Sequence, residues 1–297
     1  QVLDPLAQLM VTQPSIEVAS NLIVTASFDP PQVHVGELST YRITLNALED
    51  SIKWPARIVS PPGLELRQSA RGQILLFTGG RLLPKTTSNY HTIATNVGSY
   101  GINAFPMEVY GRTVVVPAAR LEVMPVSLPV PPPGRRLQVE LLSSNVFVGQ
   151  PVGVRVALLA PPMSGPQSLA QVRLAGDGFL VDHTLARLVI TPGSRDGSNT
   201  FTTVYETRLV PLVAGELRFT AQGYATPGTS SGAVVISPNG TPGTEVLLDA
   251  DPVGFVARPL PREGELPGFT GAIGTFTCDP PWLSATQVSV GDPVSLS

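Results

Sequence analysis

The chain has 297 residues, 42% of them hydrophobic and only 14% charged, which is apolar material for the cores of two or three domains. A formal net charge of −3 with 19 dispersed Lys and Arg excludes the basic face that a nucleic-acid binder needs. The single cysteine excludes an internal disulfide and a cysteine-built zinc site.

Residues 1–21 form an N-terminal segment whose nearest approach to a helix is the short "LDPLAQLM". A basic n-region followed by an apolar h-region is missing, so a signal peptide is absent or already removed, which fits an exported chain. From Leu22 onward short alternating runs replace any helical spacing, and 31 Pro with 28 Gly punctuate them. "LIVTASF" (22–28) and "QVHVGELSTYRITL" (32–45) open a first module, residues 22–126. Further strands are expected at "KWPARIV", "GLELRQS", "QILLFTG", "NYHTIAT", "SYGINAF" and "RTVVVPAARLEVMP". Residues 127–135 lie in a Pro-rich linker, and "RLQVELL" (136–142) opens a second module that runs to residue 260. Its expected strands include "SLAQVRLAG", "GFLVDHTLARLVI", "NTFTTVYETRLV", "GELRFTAQGY", "GAVVIS" and "VGFVARPL". Seven or so short strands per module is the pattern of an immunoglobulin-like β-sandwich. The fold class is therefore all-β, with tandem immunoglobulin-like sandwiches.

One unit recurs three times: "QVHVGELSTYRITL", "NVFVGQPVGVRVAL" (145–158) and "QVSVGDPVSLS" (287–297). Its glycines are Gly36, Gly149 and Gly291, 113 and 142 residues apart. Valines stand three and one residues before each glycine, and an acid or amide (Glu37, Gln150, Asp292) follows it. This reads as a strand, a tight turn with positive φ at glycine, and a return strand in matching register. The third copy is cut off as its return strand begins. Residues 261–297 are accordingly expected to be a linker and the first strands of a third sandwich, and the chain to be a fragment of a longer protein.

The V-x-V-G-[EQD] unit, with "ARPLPREGELPGFTGAIGTF" (257–276) running into a fresh "VSVGDPV", resembles BatD, the oxygen-tolerance family of bacterial aerotolerance operons. The likeness spans residues 22–297 and is most specific over 256–296. It implies a non-enzymatic periplasmic scaffold of the cell envelope, anchored to the inner membrane by a C-terminal helix that this fragment lacks. Its implied partners are von Willebrand A-type Bat proteins and a MoxR-type ATPase. The family brings no agreed catalytic residues to carry over. The alternative is a carbohydrate-binding or adhesive sandwich array of a secreted protein.

No arrangement of residues points to an enzyme, a metal or a cofactor. Cys278 lacks a partner histidine and reads as a small buried hydrophobe. His34, His91 and His183 occupy three separate strands without metal-ligand spacing, and read as solvated or locally hydrogen-bonded. "DGSNT" (196–200) is similar to a metal-adhesion motif through Asp196, Ser198 and Thr200, but it falls in a turn between strands. Glu263 and Glu265 sit in a linker, not across a cleft. "NGTPG" (239–243) is a turn. Trp54 is expected between the sheets of the first module. Trp282, in "CDPPWLS", either fills a seam between modules or serves as a contact.

Overall fold

The computed structural model describes residues 16, 21–78, 81–125, 135–159, 167–195, 198–227, 245–261, 273, 280 and 282–295. Cys278, Glu263, Glu265, Asp196, the turn at 239–243, "GAVVIS" and most of both linkers lie outside them. In chain order the first sandwich contains β1 (Val24–Asp29), β2 (Gln32–His34), β3 (Leu38–Leu45), β4 (Ile52–Lys53), β5 (Leu64–Thr78), β6 (Arg81–Ala94), β7 (Gly98–Ile102), β8 (Phe105–Val109), β9 (Arg112–Val116) and β10 (Ala119–Met124). The second contains β11 (Arg136–Leu141), β12 (Asn145–Phe147), β13 (Val152–Leu159), β14 (Gln167–Gly176), β15 (Phe179–Arg195), β16 (Ser198–Pro211), β17 (Gly215–Pro227), β18 (Val246–Asp249) and β19 (Val253–Arg258).

The two sandwiches share one plan. A sheet ordered β1-β3-β6-β5 in the first answers to β11-β13-β16-β15 in the second. The facing sheet, β2-β10-β7, answers to β12-β19-β17, and in each the short strand after the first runs parallel to the last. The second sandwich completes this sheet with β14, whereas the first adds a separate sheet, β4-β8-β9. The chain is all-β, built of tandem immunoglobulin-like β-sandwiches.

Alternation along the strands explains the cores. On β3 the residues Tyr41, Ile43 and Leu45 are buried, and on β13 Val152, Val154, Val156 and Leu158 are. Each of these residues contributes roughly 1.5–3 kcal/mol by leaving water. Phe28, Tyr41 and Tyr90 pack at a tilt in the first core, and Phe179, Phe219 and Phe255 meet edge-on or tilted in the second.

The repeated unit is not a hairpin of one sheet. β2 belongs to one sheet and β3 to the other, so the turn crosses the sandwich. The same holds for β12 and β13. In all three copies the backbone closes on itself over the glycine: Glu37 N donates to His34 O, Gln150 N to Phe147 O and Asp292 N to Ser289 O. The acid or amide then reaches back and accepts from the amide three residues earlier. The pairs are Glu37 Oε2 with His34 N at 2.8 Å, Gln150 Oε1 with Phe147 N at 2.9 Å, and Asp292 Oδ2 with Ser289 N at 2.9 Å. Gly36, Gly149 and Gly291 all hold positive φ, at 82°, 84° and 100°.

Two further amides of the turn point outward to different sheets. Val35 N donates to Met124 O at the end of β10, while Gly36 N donates to Ala94 O at the end of β6. Val148 N and Gly149 N repeat this with Arg258 O and Pro211 O. The third copy keeps the inner closure and the contact of its flanks, Ser284 N to Ser295 O, the counterpart of Leu142 N to Gly153 O.

Several strands differ from the sequence expectation. "GLELRQS" and "QILLFTG" are one strand, β5, with a bulge at Ser69. No turn residue interrupts it, because Gly72 keeps an ordinary strand conformation. Of "KWPARIV" (53–59) only Lys53 is in a strand, as the second residue of β4, since Pro55 cannot donate to a ladder.

Replacing Gly36 with Ala meets no neighbouring atom, so its cost is the backbone penalty alone, about 1–2 kcal/mol. Urea unfolding should show that loss. The amide of His34 holds the Glu37 carboxyl below its ordinary range, and the His34 side chain adds to this. The contribution of that bond is present at neutral pH and is lost as pH falls through the lowered folded-state value. Glu37→Gln should therefore keep the turn, as the natural Gln150 indicates, but lose the charge-assisted part of this bond at neutral pH and with it this part of the acid dependence.

Candidate interaction site at the junction of the sandwiches

The outer face of β3, β6 and β5 is not solvated. Alternation sends Arg42 outward from β3, Lys85, Thr87, Asn89 and His91 from β6, and Ala70, Gly72 and Ile74 from β5. Strands β17 and β18 of the second sandwich lie on that face. A small apolar cluster forms where Ala70 and Ile74 meet Tyr224 and Leu247.

Polar contacts surround the cluster. The Tyr224 hydroxyl donates to Gly72 O at 2.6 Å, and Gln222 Nε2 donates to Arg71 O at 2.7 Å. Asn89 Nδ2 donates to Leu247 O at 2.9 Å and to Asp249 Oδ1 at 3.2 Å, and Arg42 adds a long contact to the same carbonyl. Lys85 Nζ reaches Glu245 O at 2.8 Å and its carboxylate at 3.3 Å. His91 Nε2 lies 2.6 Å from Asp249 Oδ2, with the two side chains 13% and 6% exposed. The burial of Tyr224 pushes its hydroxyl far above the usual tyrosine range, so it stays protonated and donates.

Gly72 is a matter of space here. A Cβ at that position would stand 3.2 Å from the Tyr224 ring. The equivalent face of the second sandwich is filled differently. In register with Ala70 and Gly72 on β5 stand Arg187 and Val189 on β15, opposite Glu206 and Val204 of β16. Arg155 and Arg187 both pair with Glu206 and hold its carboxyl below the usual range, Arg187 first.

The residues singled out in the sequence are dispersed. Gly36 and Gly149 are the sheet-crossing turns at one end of each sandwich, and Gly291 forms the third turn. Trp282 is 63% exposed, beside Leu283 at 46%. Trp54 is partly buried against the first core. His34 is locally bonded, its Nδ1 3.1 Å from Glu37, and His183 is exposed. His91 is neither solvated nor local, because its partner sits 158 residues on in the other sandwich. Ser198 and Thr200 stand in β16, paired with Arg195 and Gly193 of β15, and Asp196 lies outside the described residues. Among the described residues no group of three or more His, Cys, Asp or Glu comes together. No helix of the described residues is long and apolar enough to cross a membrane.

No protein-family model matches the chain, and no curated protein is similar to it. Among solved structures it is similar to the adhesin InvE of Yersinia pseudotuberculosis, at 12% identity and a TM-score of 0.20, over 80% of this chain and 61% of that one. InvD of the same organism gives 14% and 0.20, over 82% and 60%. The D0-D1 domain of Intimin gives 11% and 0.19, over 79% and 98%. The chain thus spans about three fifths of the length of the two Yersinia chains. The assignment as tandem sandwiches rests on the strand order and pairing described above.

Asp249→Ala would leave His91 and Asn89 facing a buried gap, at a cost of roughly 2–4 kcal/mol to the junction. Residual dipolar couplings should fit one alignment tensor in the parent and need two in the variant, while each sandwich keeps its own spectrum. Gly72→Val should part the sandwiches in the same assay by driving Tyr224 off the strand.

Proposed function

We propose that this chain is a non-enzymatic interaction protein working outside the cytoplasm, a stiff two-sandwich arm that offers strand edges and interstrand loops to macromolecular partners. The observation that carries the reading is the junction: six residues of the first sandwich are bonded to the second around an apolar centre. A stiff arm presents distant surfaces in a fixed relation, which favours binding because less orientational freedom is lost when both engage. Strand β15 lies at the edge of its sheet over 17 residues and supplies an extended row of backbone groups for pairing.

Two finer readings divide the partner. The resemblance of residues 256–296 to BatD supports a cell-envelope scaffold that docks von Willebrand A-type proteins, with inner-membrane anchoring from outside this segment. An adhesive or carbohydrate-binding array is the second reading, favoured by the exposed Trp282 and Leu283 beside the third turn. Affinity capture from solubilised bacterial envelopes and a glycan array separate them. Recovery of a von Willebrand A-type protein, lost when proline replaces residues along β15, is the result expected of a scaffold. Saturable binding to a polysaccharide, lost on Trp282→Ala, is the result expected of an adhesin. Silence in both assays overturns the interaction reading.

A further inference from the structure

A groove of about 420 Å³ opens on the second sandwich between Arg136–Val139 of β11 and the loop 250–253 that joins β18 to β19. Strand β11 ends the sheet β11-β13-β16-β15, and no strand pairs with its outer side among the described residues. The register shows which backbone groups face that side. Leu142 N donates to Gly153 O, so these two residues are a bonded pair, and so at every second step are Glu140 with Arg155 and Gln138 with Ala157. Leu137 and Val139 belong to the intervening pairs, whose N–H and C=O groups turn away from β13. Their side chains serve the core, which leaves only backbone at the groove.

The facing wall is fixed in place. Ala250 N donates to Ala221 O at 2.9 Å, and Asp249 before it is held by His91 and Asn89. Asp251 and Pro252 are exposed on that wall, and Arg136 is exposed on the other. Neither Arg136 nor Asp251 has an ion-pair partner among the described residues, whereas Arg155 and Arg187 on the same sheet both reach Glu206. The repeat sharpens the contrast, because Ile23 and Pro117 stand at the matching stations of the first sandwich. The two opposite charges are an addition that a sandwich of this plan does not need.

We propose that this groove is a strand-addition site for an extended segment of a partner protein, laid along β11 with an acidic side chain at Arg136 and a basic one at Asp251. Arg136 to Val139 span about 10 Å, room for three or four residues of added strand. Pairing with the backbone of Leu137 and Val139 supplies affinity, and the two charges supply choice. The ladder of β11 runs unbroken, whereas that of β15 is interrupted by the bulge between Asp182 and Arg187. The site rests on the reading of the chain as an interaction protein, and not on β15 or on the identity of the partner.

The probe is the acetylated, amidated pentapeptide EVTVK, titrated into the nitrogen-15-labelled full chain and followed by amide shifts. Expected are saturable shifts centred on residues 136–139 and 250–253, about tenfold weaker with the same peptide N-methylated throughout, which keeps its side chains and loses its donors. Val139→Pro removes an outward N–H and no bond to β13, so it should weaken EVTVK about tenfold while the chain still melts cooperatively. If that variant does not fold, the N-methylated peptide on the parent carries the same test. Asp251→Lys should turn the preference from EVTVK to EVTVE. Absent shifts, shifts centred elsewhere, or equal binding of the N-methylated peptide overturn the proposal. Capture of a partner through β15 uses a separate edge and is unmoved by Val139→Pro, so the two readings fail separately.

Discussion

Everything in this architecture depends on a turn whose two adjacent amides face in different directions. One reaches the last strand of the facing sheet, and the next reaches the end of the long strand of its own sheet. Only a residue at ease with positive φ lets consecutive amides diverge in this way, which is why glycine holds the position three times. The side chain after it satisfies the amide on the near flank, and Glu, Gln and Asp all reach it because one acceptor oxygen suffices. The sandwich is thereby pinned at its rim by backbone alone, and the valines around the turn are free to serve the core.

On that frame the two sandwiches are joined mainly by polar contacts. The apolar centre is four buried side chains with Leu76 and Ala170 packed against them, too few to carry the junction by area. Its strength comes from the hydrogen bonds and ion pairs that Asn89, His91, Lys85 and the Tyr224 hydroxyl make across it. Such an interface is sensitive to single changes, because removing one member leaves another buried and unmatched. Angular precision follows from the same cause, since hydrogen bonds constrain direction where apolar contact does not.

What the sequence made legible was local. The turns at Gly36, Gly149 and Gly291, the alternation on β3 and β13 and the seven-strand rhythm all follow from neighbours within a dozen residues. The junction was hidden because its partners are about 150 residues apart, as with Gly72 and Tyr224. His91 looked like any exposed imidazole in a strand, and the strand that answers it, β18, is four residues long. The crossing of the turn from one sheet to the other was equally invisible, since alternation reports which face is buried and not which sheet a strand joins. Trp54 read as core and does pack there, but nothing nearby in sequence marked Arg71 as the residue stacked on it.

The small residues on β5 have a consequence for growth. A docking face that recurred unchanged on every sandwich would let each molecule stack on the next without limit, since the contact is head-to-tail and does not close. Ala70 and Gly72 admit Tyr224, whereas Arg187 and Val189 at the same stations on the second sandwich take up that room. The seat that receives Tyr224 on the first sandwich is therefore not repeated on the second.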